Sequence, residues 1–328
     1  MKANRSKAFK TFFFFTLLLA LLPAFCFGQE YPTKPINLIV TFAPGGTLDT
    51  GARILATEAE KILGQPVIVS NVGGGGGSVA LGQVATKVPD GYNITCCTSS
   101  GLIRIPQLRK VSYGPDDFIP IMHFAAVQTG TVVKADAPYN TFKDLVEYAK
   151  KNPGAVTYAT SGAGTPMHMA MEYVGEQDGI KWTHVPFTGG APSLAAVLGG
   201  HVTAMSDSTE WVPFVKDGKL RLLVTHGEKR MRSFPDVPTL RELGYDFINE
   251  AVFMIAAPKG TPVAIINKLD NAFKKAMEDP LFIKTLTEME FEISYRNPTD
   301  TKKFLDTAYV RFAEMIKKLG IKQEQEKP

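Results

Sequence analysis

The chain has 328 residues, of which 36 are Lys or Arg and 32 are Asp or Glu, so that its formal net charge is +4. Residues 1–28 contain four of the basic residues and no acidic residue, which leaves 32 of each sign in the remainder. This balance of charges argues against nucleic acid or another polyanion as a partner. The remaining chain of roughly 300 residues is too long for one ordinary hydrophobic core, which predicts two domains.

The first 28 residues have the pattern of an export signal and are excluded from the fold. Four basic residues precede an almost wholly apolar run at 12–27, and small residues near Gly28 provide a cleavage site. The run is short for a membrane span, and Pro23 interrupts it. We therefore expect cleavage near Gly28 and export of the mature chain.

After the signal, strand-like and helix-like segments alternate, which predicts an α/β fold built on mostly parallel sheets. Residues 36–42 form an apolar run that predicts a buried strand, and Pro44-Gly45-Gly46 then turns the chain. A helix is predicted from about residue 50 to 63, with Asp49 as its N-cap. This arrangement directs backbone N–H groups and the positive end of a helix dipole to one point, which suits an anion.

Two more strands are predicted at 66–71 and 93–98, with the glycine run 73–77 between them. The third strand ends in Ser99-Ser100-Gly101. Small polar residues at the end of a strand can face a ligand, so Ser99 is a candidate contact.

A second α/β unit begins near Ala126 and repeats the arrangement of the first turn. A strand at 156–160 leads into Ser161-Gly-Ala-Gly-Thr-Pro166, and a helix that starts near Met167 carries His168 in its first turn. Ligands of open α/β sheets bind outside the carboxyl ends of the strands. We therefore expect the two turns to lie in different domains and to face each other across a cleft.

The sequence predicts neither a metal nor a cofactor. Cys96 and Cys97 are neighbours on an apolar strand and are expected to pack there, and no Cys and His spacing resembles a zinc site. An alternative is an enzyme that binds a dinucleotide at residues 73–77. That alternative is disfavoured, because the run is not Gly-x-Gly-x-x-Gly and no nucleophile motif such as Gly-x-Ser-x-Gly accompanies it.

An ordered set of motifs over nearly the whole mature chain resembles the Bug and TctC periplasmic solute-binding proteins of tripartite tricarboxylate transporters. The first is Phe42-Ala-Pro-Gly-Gly-x-x-Asp49, followed by Ala52-Arg53. The others are Asn71-x-x-Gly-x-Gly-Gly, Pro89-Asp-Gly-Tyr92, Ser161-x-x-Gly-Thr-Pro-x-His168, Pro186-Phe-x-Gly-x-Ala-Pro192, Leu198-Gly-Gly200 and Pro235-Asp-Val-Pro-Thr239. Relatives usually carry Pro-Gly-Ala-Gly-Gly where this chain has Val72 and five glycines, which leaves the part of that loop in binding open.

The resemblance implies a two-domain Venus-flytrap fold, type II-like, with a ligand cleft between the domains. It places domain I at residues 29–125 plus 253–328 and domain II at residues 126–252, joined by two crossing strands. It also implies a monomer in the periplasm that has no catalytic residues and no cofactor.

The resemblance also implies which residues contact the ligand. In the family, backbone N–H groups of the first turn hold a ligand carboxylate, and the second turn holds the other end of the ligand. Carried over residue by residue, the ligand-binding positions are Phe42, Ala43, Gly45, Gly46 and Asp49 on one side and Gly164, Thr165, His168 and Asp207 on the other. A neutral His168 could donate to a ligand oxygen.

Several of these side chains leave more than one interpretation open. Asp49 and Asp207 could accept the ammonium of an amino acid, or they could anchor water or backbone. Arg53 is expected to pair with an acidic neighbour. Glu210 and Trp211 are predicted to lie on a helix surface.

The function that follows is capture of a small carboxylate and its delivery to the membrane subunits of a tripartite tricarboxylate transporter. The carboxylate could be a di- or tricarboxylate, an amino acid or an aromatic acid. The alternative is a sensor that binds the same ligand and signals to a receptor without transport.

Overall fold

The structure, a computed structural model, describes residues 31–248 and 250–318. The chain divides into two compact units, Met1–Thr33 and Lys34–Pro328, and both sheets described below belong to the second unit. The predicted export signal and the charged residues 322–328 lie outside the described residues.

Helices and strands alternate along the chain, as the sequence predicts. In chain order they are β1 (Ile36–Val40), α1 (Thr47–Leu63), β2 (Val67–Asn71), α2 (Ser78–Ala85), β3 (Asn93–Thr98), α3 (Ser99–Ile103), α4 (Ile105–Leu108), β4 (Phe118–Gln128), β5 (Gly130–Lys134), α5 (Phe142–Lys151), β6 (Thr157–Thr160), α6 (Pro166–Asp178), β7 (Thr183–Pro186), α7 (Gly190–Leu198), β8 (Ala204–Asp207), α8 (Val212–Lys216), β9 (Leu220–Thr225), β10 (Glu250–Pro258), α9 (Val263–Ala276), α10 (Pro280–Glu288), β11 (Phe291–Arg296) and α11 (Pro298–Lys318).

The described strands form two sheets. One has six strands in the order β11-β4-β10-β3-β1-β2, and the other has five in the order β7-β6-β8-β5-β9. The prediction of mostly parallel sheets is wrong, because β10 pairs antiparallel with both β3 and β4, and β5 pairs antiparallel with both β8 and β9. Only the pairs around β1 and β6 are parallel among the described strands. The strands that carry the chain between the sheets therefore make each sheet mixed.

The local rules for helix ends hold where a polar side chain is available. The motif Thr141-Phe-Lys-Asp144 forms a capping box at α5, since Thr141 Oγ1 accepts the Asp144 N–H at 3.2 Å and Asp144 Oδ2 accepts the Thr141 N–H at 2.8 Å. Gly64 ends α1 with φ +70°, a conformation that costs glycine little. Cys96 and Cys97 are fully buried and not bonded to each other, as expected of apolar strand residues.

The chain leaves the first sheet after β4 and enters the second at β5, with Thr129 between them. The buried His226 bridges this crossing, because its Nδ1 lies 2.7 Å from Thr129 Oγ1 and its Nε2 lies 3.1 Å from Thr131 Oγ1. Burial lowers the pKa of His226 to about 3, so the crossing is held by a neutral imidazole. The chain returns to the first sheet between β9 and β10. The predicted domain boundaries at 125/126 and 252/253 fall inside β4 and β10.

None of the described helices is both long enough and apolar enough to cross a membrane.

Candidate functional site

A small cavity lies where segments of the two sheets meet. From the first sheet it is lined by residues at the start of α1, by residues after β3 and by Phe253 of β10. From the second it is lined by the turn after β6, the start of α7 and residues after β8. Its volume is about 20 Å³, which is room for a water molecule but not for an organic ligand. The segments around it must therefore separate for a ligand to enter.

The N-terminus of α1 faces this cavity without a side-chain cap. Its N-cap is Gly46, and the first intrahelical bond runs from the Thr50 N–H to the Gly46 carbonyl at 3.0 Å. The N–H groups of Thr47 and Leu48 consequently have no partner within the helix, and both residues line the cavity. Gly45 makes the preceding turn with φ +80°, which favours glycine. An anion placed here would meet free donors and the positive end of the dipole.

Two further helices begin at the same cavity. The α6 helix starts at Pro166 and is capped by Thr165, whose hydroxyl oxygen accepts the His168 N–H at 3.5 Å and whose hydroxyl group donates to the Gly162 carbonyl at 2.7 Å. The α7 helix starts at Gly190 behind a glycine N-cap, again without a side-chain cap. Thr165, Pro166 and Gly190 all line the cavity. The N-termini of three helices, each at least nine residues long, therefore converge on one point.

The prediction that Asp49 is the N-cap of α1 is wrong, because the helix begins at Thr47, three residues earlier than predicted, and Gly46 takes the N-cap position. The Asp49 carboxylate turns back and accepts the Gly45 N–H at 2.9 Å, Arg53 Nε at 3.0 Å and Asn71 Nδ2 at 2.8 Å. Burial alone would raise the pKa of Asp49, but these donors, Arg53 foremost, outweigh it and lower the pKa. The expected pairing of Arg53 with an acidic neighbour is confirmed. Both oxygens of Asp49 are thus already engaged by the protein.

Two further acidic residues, Asp207 and Glu210, lie on the opposite side of the cavity. Asp207 is 1% exposed and Glu210 is 8% exposed, and both line the cavity. Asp207 Oδ1 accepts the Ser208 N–H at 3.0 Å, whereas Asp207 Oδ2 and Glu210 Oε2 have no hydrogen-bond partner among the described residues. Burial raises the pKa of Asp207 to about 6. Burial and the adjacent Asp207 charge raise the pKa of Glu210 well above its usual range.

The prediction of a surface position for Glu210 and Trp211 is therefore wrong. Trp211 is fully buried, and its Nε1 donates to the Asp207 carbonyl at 3.3 Å. These residues belong to a short 3₁₀ turn, Thr209–Trp211, that lies in the chain between β8 and α8. The available sequence signal was their position just after a strand that carries Asp207, because the carboxyl end of a strand is where ligands bind.

The structure brings half of the predicted ligand positions to the cavity. Phe42, Gly46, Asp49, Thr165 and Asp207 line it, together with residues not predicted as ligand positions, among them Thr47, Leu48, Thr98, Ser100, Ser161, Met167, Gly190, Ser208 and Glu210.

The other predicted positions are near the cavity but do not line it. They are Ala43, Gly45, Ser99, Gly164 and His168. The Ala43 N–H donates to the Thr188 carbonyl at 3.0 Å, across the two sheets. The His168 ring packs 4.1 Å from that of His184, and its Nδ1 accepts the Gly164 N–H at 3.1 Å.

The glycine run 73–77 packs against the turn of the other sheet. A methyl group on Gly73 would lie 2.6 Å from the Thr188 carbonyl oxygen, and one on Gly76 would lie 2.9 Å from that of Ala163. A methyl group on Gly162 would in turn lie 2.7 Å from the Gly76 nitrogen. These distances are too short for any side chain, so the glycines allow backbone to approach backbone where the two sheets meet.

No lysine, arginine or histidine side chain lines the cavity among the described residues, nor do those residues include a group of three acidic, His or Cys side chains that could hold a metal. The site can therefore bind an anion through backbone N–H groups and can bind a donor or cation through its buried carboxyl pair.

Comparison with known proteins gives consistent results. The chain is 39% identical over 308 residues to the UPF0065 protein in the gbd 5' region of Cupriavidus necator, with 94% of each chain covered. It is similar to the solved periplasmic binding protein BugD, with 32% identity and a TM-score of 0.85 over 90% of this chain and 100% of BugD. It is also similar to MatC from Rhodopseudomonas palustris with bound malate, with 28% identity and a TM-score of 0.82 over 87% of this chain and 100% of MatC.

These similarities confirm the two-domain periplasmic-binding-protein fold and the resemblance to the Bug and TctC proteins. The family consists of transport receptors and not of enzymes. The sequence model of the tripartite tricarboxylate transporter family receptors, TctC, matches residues 51–321, and the chain belongs to this family.

Proposed function

We propose that this chain is an extracytoplasmic solute-binding protein that captures a small organic carboxylate and delivers it to the membrane subunits of a tripartite tricarboxylate transporter. The observation that carries the proposal is the convergence of the N-termini of α1, α6 and α7 on one cavity. A carboxylate there would accept hydrogen bonds from the backbone N–H groups of the uncapped α1 and would be attracted by the positive end of its dipole. The bound malate of the similar MatC structure supports the same ligand class.

The ligand positions are part of this proposal. Gly46, Thr47 and Leu48 of α1 contact the carboxylate, and Phe42 closes one side of the cavity. The turn of the second sheet contacts the rest of the ligand through Thr165. Domain I comprises residues 29–125 plus 253–328 and domain II residues 126–252, and the cavity lies between them. The protein acts as a monomer in the periplasm after removal of the export signal.

Isothermal titration and thermal unfolding with a panel of organic acids and amino acids test carboxylate binding. A ligand at about 100 times its dissociation constant should stabilise the fold by about 2.7 kcal/mol. A panel of di- and tricarboxylates, amino acids and aromatic acids that produces neither heat nor stabilisation would refute the proposal.

A matched pair of variants at Thr47 tests the role of the backbone donor. Thr47→Pro removes one N–H at the first position of α1, where proline is compatible with a helix and the preceding Gly46 has an extended ψ of 174°. Thr47→Ala removes the same side-chain oxygen but keeps the N–H. We expect the proline variant to bind at least tenfold more weakly than the alanine variant, since a hydrogen bond to a charged group contributes about 1.5–3 kcal/mol. Equal affinities would contradict this mode of binding.

Delivery to a transporter needs a separate test in cells. Uptake of the identified ligand should fall when the gene is deleted and return when it is restored. Normal uptake in the deletion strain, with loss of a transcriptional response to the ligand, would favour the sensor alternative.

A further inference from the structure

The buried pair Asp207 and Glu210 is not explained by carboxylate binding. Each has one side-chain oxygen, Asp207 Oδ2 and Glu210 Oε2, without a hydrogen-bond partner among the described residues. Both residues are more than nine-tenths buried, and both line the cavity. Burying an acceptor without a partner is costly, and burying a charge without one is more costly still. The Ser161 and Ser193 hydroxyl groups lie near Asp207 and lower its pKa in part, but Glu210 Oε2 still lacks a donor. Such an atom in a binding cavity indicates a donor that the ligand supplies.

The position of Glu210 also decides which helix N-terminus remains for a ligand. A methyl group on Gly190 would lie 1.1 Å from Glu210 Oε1 and 2.3 Å from its carboxyl carbon. The Glu210 carboxyl group therefore lies against the Cα of Gly190, the first residue of α7, and disfavours an anion beside the start of that helix. The uncapped N-terminus of α1 remains for the ligand carboxylate, because Thr165 already accepts the His168 N–H of α6 and Pro166 has no N–H.

The charges around the cavity consequently fall into two groups. The helix N-termini on the α1 side attract an anion, and Asp207 and Glu210 on the other side attract a cation or a hydrogen-bond donor. Asp49 does not contribute to the second group, because its oxygens are engaged by Gly45, Arg53 and Asn71. A second carboxylate on the ligand would meet the buried acids and be repelled, whereas an ammonium group would satisfy their free oxygens.

We propose that Asp207 and Glu210 form an ammonium-binding subsite, so that the ligand of this chain is a zwitterion with a single free carboxylate, as in a neutral α-amino acid, and not a dicarboxylate. The inference rests on the proposed carboxylate-binding function, and it names the ligand class. Glu210 is the specificity-determining residue, since its carboxyl group lies beside the start of α7 and supplies one of the two oxygens without a partner.

Titration with matched ligands tests the proposal. The unmodified protein is titrated calorimetrically with the neutral α-amino acids, with the deaminated monocarboxylate of each and with C3 to C6 dicarboxylates. The deaminated analogue of the tightest amino acid should bind at least about 30-fold more weakly, because it leaves a buried charge unpaired. Tightest binding to a dicarboxylate would overturn the inference and leave the proposed function intact, whereas binding to no carboxylate at all would overturn both.

Glu210→Gln tests the residue itself. The variant keeps the shape of the side chain and removes its charge, so we expect affinity for the amino acid to fall at least tenfold and affinity for dicarboxylates to rise. Glu278→Gln, at an exposed position after α9, is the matched control and should change neither. Far-ultraviolet circular dichroism and the unfolding midpoint establish that each variant folds. An unchanged ratio of the two affinities in folded Glu210→Gln would overturn the assignment.

Discussion

Asp207→Asn should make the ligand-free protein more stable at neutral pH and leave its stability unchanged in acid. The substitution keeps an oxygen for the Ser208 N–H and removes a carboxylate charge that has one oxygen without a partner. Burial raises the pKa of Asp207 from its ordinary value of 3.8 to about 6. The folded state therefore binds a proton more tightly than the unfolded state does, and folding is disfavoured once that proton is lost.

The sign and the size of the effect follow from this difference. Below pH 3.8 Asp207 is protonated in both states and costs nothing; as the pH rises through about 6, the folded protein loses stability relative to the variant. The adjacent Glu210 titrates together with Asp207, because the Asp207 charge raises the pKa of Glu210, so the difference between the two proteins is on the order of a few kcal/mol. Three histidines, the buried His123 and His226 and the half-buried His184, have lowered pKa values and act in the opposite direction. They are common to both proteins and cancel in the comparison.

Urea unfolding of both proteins without ligand, at intervals from pH 4 to pH 8, measures the difference. Asp236→Asn, at an exposed position, is the matched control and should leave the free energy of unfolding unchanged within about 0.5 kcal/mol at every pH. A variant that is less stable than the unmodified protein at pH 8, or a difference that does not vary with pH, would refute the argument that Asp207 is buried as an unpaired charge.

Three other substitutions probe the surroundings of the cavity. Arg53→Met should lower the free energy of unfolding by about 1 kcal/mol, since it removes a charged donor from the buried Asp49 carboxylate; an unchanged urea midpoint would show that the remaining donors suffice. Gly76→Ala should weaken ligand binding about tenfold in calorimetry, because φ is +61° and the new methyl group would lie 2.9 Å from the Ala163 carbonyl oxygen; full affinity would mean that the two segments need not approach so closely. Gly190→Ala should displace the carboxyl group that lies over it, so that the affinity ratio of amino acid to dicarboxylate falls; a constant ratio would contradict that placement.

The sequence predicted the two glycine-rich turns and the alternation of strands and helices, because these depend on local rules. The strand before residue 42 and the helix after the turn follow from apolar periodicity, and the capping box at Thr141 follows from a short motif. The start of α1 was misplaced because Asp49 satisfies the local rule for an N-cap. In the structure glycine takes that position and Asp49 folds back on Arg53, which is an arrangement that N-cap preference alone does not reveal.

Two features of the site that the sequence does not reveal have a common physical origin. A charged residue is expected at the surface, which predicts an exposed Glu210, yet the fold buries it beside the start of α7. His168 follows the second turn in the sequence, but it packs against His184 of the neighbouring strand β7 and not along the cavity. Both outcomes depend on contacts between segments that are distant in the sequence.

The glycine run 73–77 has a consequence for how the cleft opens. Where Gly76 meets Gly162 and Ala163, backbone lies against backbone, and the apolar side chains of Ile105 and Leu108 pack against Gly164 beside this contact. Pulling the two segments apart would expose N–H and carbonyl groups that water can solvate, so only the apolar part of the contact opposes opening. We therefore expect the binding energy of a small solute to be enough to choose between the open and closed arrangements.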